Sequence, residues 1–66
     1  MIGLEYILQE FNMQHKELSE LLGIDISNVN YWTEGKNRIP YEYLMRLNQI
    51  FGIPVEYFQR ELWEID

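Results

Sequence analysis

The sequence predicts an all-α fold, a compact five-helix bundle. Apolar residues recur at helical spacing in five successive segments. Gly and Pro stand at the junctions after the second, third and fourth of them. Nothing reads as a strand pair, and connections of about two to seven residues join helices of about eight to twelve.

Leu4, Ile7, Leu8 and Phe11 fall at i, i+3, i+4 and i+7, the stripe of a first helix of about ten residues. Asn12 is placed to open the next segment as an N-cap. Leu18, Leu21 and Leu22 form the stripe of a second short helix. Gly23 follows at once, where a helix C-terminus favours a left-handed residue. Asp25 is positioned to cap a third helix, with Val29 and Trp32 pointing inward. Glu34-Gly35-Lys36-Asn37 is turn chemistry. Pro40 suits the first turn of a fourth helix, where its missing N–H costs nothing, and Leu44, Leu47 and Phe51 supply the buried face. Gly52 ends that helix, and Pro54 opens a fifth in which Val55, Phe58 and Leu62 recur at helical spacing. Leu21 to Asp25 and Ile50 to Pro54 share one punctuation, the same turn solution used twice.

The 66 residues are expected to make one domain. A chain this short buries about 60% of the surface it exposes when unfolded, so its stability is modest, roughly 3–10 kcal/mol. Zero cysteines exclude a disulfide scaffold, a thiolate metal site and a Cys nucleophile. Two Trp, five Tyr and three Phe within 47% hydrophobic residues are too many for a disordered segment. No apolar run approaches the ~18 residues of a membrane span, and the start lacks a basic leader region, so a cytoplasmic location is expected. One His and no Gly-rich phosphate loop leave nothing to build a nucleophile–base pair, a metal site or a cofactor site, so no enzyme is expected.

Net charge is −6, which argues against indiscriminate binding to nucleic acid or anionic membrane. Its distribution matters more than its sum: −2 over residues 1–12, −1 over 13–40 and −3 over 41–66. The middle of the chain repels a polyanion least, and Lys36-Asn37-Arg38 is its basic cluster.

Residues from about 14 to 33 form a helix, a short turn containing Gly, and a second helix, the sequence form of a helix-turn-helix. Here the chain resembles the Cro/repressor-type (XRE) helix-turn-helix regulators, from about residue 4 to residue 60. The resemblance is carried by Glu17-Leu18-Ser19-Glu20-Leu21-Leu22-Gly23-Ile24, by Val29 and Trp32, by Gly35-Lys36-Asn37-Arg38-Ile39-Pro40 and by Leu47 to Pro54. It implies a lambda-repressor-like bundle that places its third helix in the major groove of a palindromic operator as a homodimer, most simply as a transcriptional repressor.

On a helical wheel, Val29 and Trp32 define one face of the third helix. Opposite lie Ser27, Asn30 and Tyr31, flanked by Ile26 and Asn28. All but Ile26 can hydrogen-bond, none is charged, and Ile26 offers an apolar contact for a thymine methyl. The resemblance implies that Ile26, Ser27, Asn28 and Tyr31 face bases. It implies phosphate contacts from the start of the second helix (Gln14, His15, Lys16) and from the following loop (Lys36, Asn37, Arg38). Without the motif, Ser and Asn on such a face read as solvated surface, and His15 as a surface imidazole. Tyr41, Tyr43 and Tyr57 read as packing at the rim of the core.

The chain departs from the family pattern at definite places. Gln14-His15 stands where Thr-Gln is usual, removing the hydroxyl cap, and Asn48 occupies a position usually Ala and buried, so it needs a partner. Tyr31 replaces what is often a cation. The tail, residues 61–66, offers Leu62, Trp63 and Ile65 either for the dimer contact or for docking on the chain's own helices. The acidity supports a second reading, a protein-interaction module or anti-repressor that keeps the fold and binds a basic protein partner.

Overall fold

The computed structural model describes residues 3–59. Four α-helices follow in order, α1 (Gly3–Glu10), α2 (His15–Leu22), α3 (Ile26–Thr33) and α4 (Tyr41–Phe51), then a 3₁₀ turn over Val55–Tyr57. No strand occurs among the described residues.

Over the described part of the expected fifth helix, residues 54–59, the chain makes only that single turn, so a fifth helix is not confirmed. The Phe58 carbonyl accepts the Leu4 N–H at 2.9 Å. That bond closes the end of the described chain onto its start, with the Phe58 ring fully buried. Leu62, the last member of the expected stripe, lies outside the described residues.

The core joins all four helices. Leu4, Leu8, Leu18, Val29, Leu47 and Phe58 are buried to within 2%, each such side chain contributing about 1.5–3 kcal/mol in transfer free energy. Ile7, Leu22, Trp32, Ile39 and Leu44 complete it. Two stripe residues do not point inward. Leu21 is exposed, and Ser19 is buried in its stead with its hydroxyl donating to the Lys16 carbonyl at 2.7 Å. Phe11 lies beyond the end of α1, exposed, with its ring edge-on to Phe51 at 4.9 Å.

The junctions explain why the helices are so short. Asn12 sits at φ 55°, and Met13 N–H bonds back to the Leu8 carbonyl at 2.9 Å while Asn12 N–H bonds to Gln9 at 3.1 Å. Asn12 thus closes α1 in a Schellman turn rather than opening α2, because Asn is among the few residues that tolerate the left-handed region. Gln14 is the N-cap of α2, and its backbone N–H donates to Glu17 Oε1 at 3.0 Å, so the missing hydroxyl is offset from the third helical position. Gly23, at φ 70°, ends α2 with the same turn: Ile24 N–H reaches the Ser19 carbonyl at 3.0 Å. Asp25 caps α3 as expected, its carboxylate accepting the Ser27 N–H at 2.9 Å.

One long side chain ties α4 to this frame, and a second closes its end. Arg46 donates from Nη1 to the Leu22 carbonyl (2.9 Å) and from Nη2 to the Leu21 carbonyl (3.1 Å), placing a cation on the negative end of α2. Asn48 finds the partner it needs in the Ile53 carbonyl, at 2.9 Å across the Gly52 turn.

Candidate nucleic-acid interface

The α2–turn–α3 unit is built on a backbone corner that only a left-handed residue can make. Gly23 supplies it, and the space around its Cα is open, so a side chain there would be opposed by the torsion rather than by a clash. The corner then aims α3 by burying Val29 completely and Trp32 nearly so.

Burying that face settles what α3 presents outward. Ile26, Asn28 and Tyr31 are exposed, and Ser27 and Asn30 are half-buried beside them. No charged residue lies within Ile26–Thr33. The face is hydrogen-bonding and uncharged, apart from Asp25 at its N-terminal edge. There the Ser27 backbone N–H, and then its hydroxyl, hold the Asp25 carboxyl below the usual carboxylate range.

The loop after α3 is shaped by a second left-handed glycine, Gly35 at φ 77°, with Lys36 N–H returning to the Tyr31 carbonyl at 2.9 Å. Ile39 anchors the far end: its side chain is buried and its N–H donates to Gln59 Oε1 at 2.7 Å. Between these anchors, Lys36, Asn37 and Arg38 are exposed. A groove of about 430 Å³ brings Asn28 of α3 together with Asn37, Arg38 and Tyr43, over a floor that includes Trp32.

The cations differ in how they are engaged. Lys36 pairs with Glu34 at 3.3 Å and sits 5.9 Å from the centre of the Tyr31 ring. Arg46 is committed to the end of α2. Lys16 and Arg38 are exposed and have no ion pair among the described residues. Gln14 and Lys16 lie exposed at the start of α2.

His15 and Asn30 are brought onto each other. Asn30 Oδ1 is 2.7 Å from His15 Nδ1, and Glu5 Oε2 of α1 is 3.0 Å from His15 Nε2. A single imidazole therefore links α1, α2 and α3. Neither Glu5 nor Arg46 stands out in the sequence. Their partners are 10 and 24–25 residues away, beyond the reach of any helical period.

Among the described residues no helix is long and apolar enough to cross a membrane. A helix-turn-helix family model matches residues 4–58. No curated protein and no solved structure matches the chain. With the α2–α3 corner, the buried Val29–Trp32 face and the uncharged outer face all inside that span, the chain belongs to the XRE-type helix-turn-helix family of DNA-binding regulators.

Proposed function

We propose that the chain is a sequence-specific transcriptional repressor that binds a two-fold symmetric operator as a homodimer, with α3 in the major groove. The observation that carries this reading is the pairing of an uncharged, hydrogen-bonding α3 face with Arg38, which no acidic group neutralises among the described residues. In this arrangement Ile26, Ser27, Asn28 and Tyr31 read base edges. Gln14, Lys16, Lys36, Asn37 and Arg38 hold the phosphate strands on either side. His15 and Asn30 stand between the two groups. The protein acts without catalysis or cofactor, in the cytoplasm alongside its DNA.

The acidity supports a dimer. With about three cations per subunit near the phosphates, a monomer gains too little from counterion release for useful affinity, and two half-sites double it. The tail over residues 61–66, which lies outside the described residues, supplies the apolar contact for that pairing. Deleting it then weakens self-association and operator binding together while helical circular dichroism is kept.

Selection of bound fragments from a pool of random duplex DNA tests the reading. A palindromic consensus is the expected result. No enrichment, with no mobility shift on any duplex at low salt, would instead favour the protein-interaction module that the net charge of −6 suggests.

A further inference from the structure

We propose that His15 is a proton-operated positioning residue: its protonation state decides whether Asn30 turns its amide NH₂ or its amide oxygen toward the DNA. The inference rests on the DNA-binding reading above and adds a control to it. The imidazole lies between two oxygens, Asn30 Oδ1 at 2.7 Å and Glu5 Oε2 at 3.0 Å. Both oxygens only accept, so both bonds exist together only when both ring nitrogens carry protons. In that state the Asn30 oxygen is occupied by the ring. Its NH₂ has no partner among the described residues and is the group left to donate.

Loss of one proton reverses this. The Glu5 carboxylate cannot donate, so it keeps the remaining proton on Nε2, and Nδ1 becomes a lone pair. A lone pair facing a carbonyl oxygen at 2.7 Å is repulsive, and the terminal torsion of an Asn amide is broad and two-fold. The amide turns over, NH₂ donates to Nδ1, and the oxygen faces outward. Phosphates offer acceptors only, so the doubly protonated ring, with its charge and with the NH₂ turned out, is the form that favours DNA.

The electrostatic surroundings make this proton count. Glu5 of α1 is the ionised partner of the ring, and α3 contributes no charge over Ile26–Thr33. Glu10 of α1 faces the Tyr6 hydroxyl at 3.5 Å, and Glu17 of α2 is turned to the Gln14 N–H. Lys16, the neighbouring cation on α2, is exposed.

The test uses two readouts on the full chain. His15 is the sole histidine, so its ring titration is read directly by proton–nitrogen NMR, alongside the Asn30 side-chain NH₂ signals. The expected result is that the Asn30 NH₂ shifts follow the ring with the same midpoint in the free protein. At fixed ionic strength, affinity for the selected duplex should rise about three- to tenfold between the pH values at which the ring signals show one proton and two, the worth of one hydrogen bond. His15→Gln, which can bond to Asn30 but cannot titrate, should lose that rise, and Asn30→Ala should keep only the part that the ring's charge supplies, with both variants keeping wild-type helicity. Asn30 signals indifferent to the ring, or a pH rise that survives in His15→Gln, would overturn the proposal. Coupled signals in a protein that binds no duplex would uphold the His15–Asn30 switch and sink the DNA-binding reading instead.

Discussion

The indole of Trp32 meets the phenol ring of Tyr43 at 5.5 Å between centroids, tilted by 46°. This contact joins the inner face of α3 to the first turns of α4, and the guanidinium of Arg46 lies 5.9 Å from the same Tyr43 ring. The outer face of α3 is therefore backed by an aromatic pair as well as by the α2–α3 corner.

Trp32→Ala removes the largest side chain of that support. The expected loss is about 3–5 kcal/mol, most of the stability of so small a chain. Thermal unfolding followed by circular dichroism checks it, and a melting temperature unchanged within a few degrees would show that α3 is not held this way.

Arg46 acts at a different joint. Its two hydrogen bonds end on carbonyls of the last turn of α2, groups that have no helical partner of their own. Arg46→Met keeps most of the aliphatic stem but leaves those carbonyls to water, at a cost of about 1–2 kcal/mol in urea denaturation. Arg46→Lys should recover only part of this, because an ammonium cannot span both carbonyls with the planar fork.

Asp25 gives the fold a pH dependence of known sign. Ser27 holds its carboxyl lower in the folded state than in the unfolded chain. The stabilisation is therefore fully present above the ordinary carboxylate range and is lost as pH falls through the folded value. Asp25→Ala should melt earlier than wild type at neutral pH, and the gap should close in acid. An equal gap at both ends would mean that the charge on the cap contributes nothing. The carboxylate is fully exposed, so the effect is small.

Position and sequence should separate cleanly among the DNA contacts. Arg38→Ala should weaken binding to the selected duplex and to random duplex alike, and flatten the log–log salt slope by about one unit per lost contact in each subunit. Asn28→Ala or Tyr31→Ala should cost about 1–3 kcal/mol on the selected duplex and much less on random DNA. Competition titrations with both duplexes distinguish the two behaviours.

Much of what depends on local pattern was legible in the chain. Val29 and Trp32 face inward as their spacing requires, Asp25 caps α3, and Gly23 and Gly52 both adopt the left-handed conformation. The exchange of Leu21 for Ser19 escaped, because a hydroxyl bonded to the preceding turn costs little to bury and leaves no trace in an apolar count. Asn12, expected to open the second helix, closes the first; the sign of φ decides, and composition does not contain it. Only a turn stands over the described part of the expected fifth helix, where the Phe58 carbonyl is bonded to Leu4, some 54 residues earlier, a contact that no local pattern records. Of the candidate interface, the exposure of the outer face of α3 and of the Lys36-Asn37-Arg38 loop was legible. The Glu5–His15–Asn30 link was not, since three separate helices must pack before those groups meet.

The measurement that bears most directly on the central claim is the salt dependence of binding to the selected duplex, taken together with the ratio of its affinity to that of random duplex. Lys16, Lys36 and Arg38 in each of two subunits predict a log–log slope of about −5, with a large affinity ratio carried by base contacts from α3. A slope near zero with no preference between duplexes would contradict it, and the exposed α3 face would then belong to a protein partner.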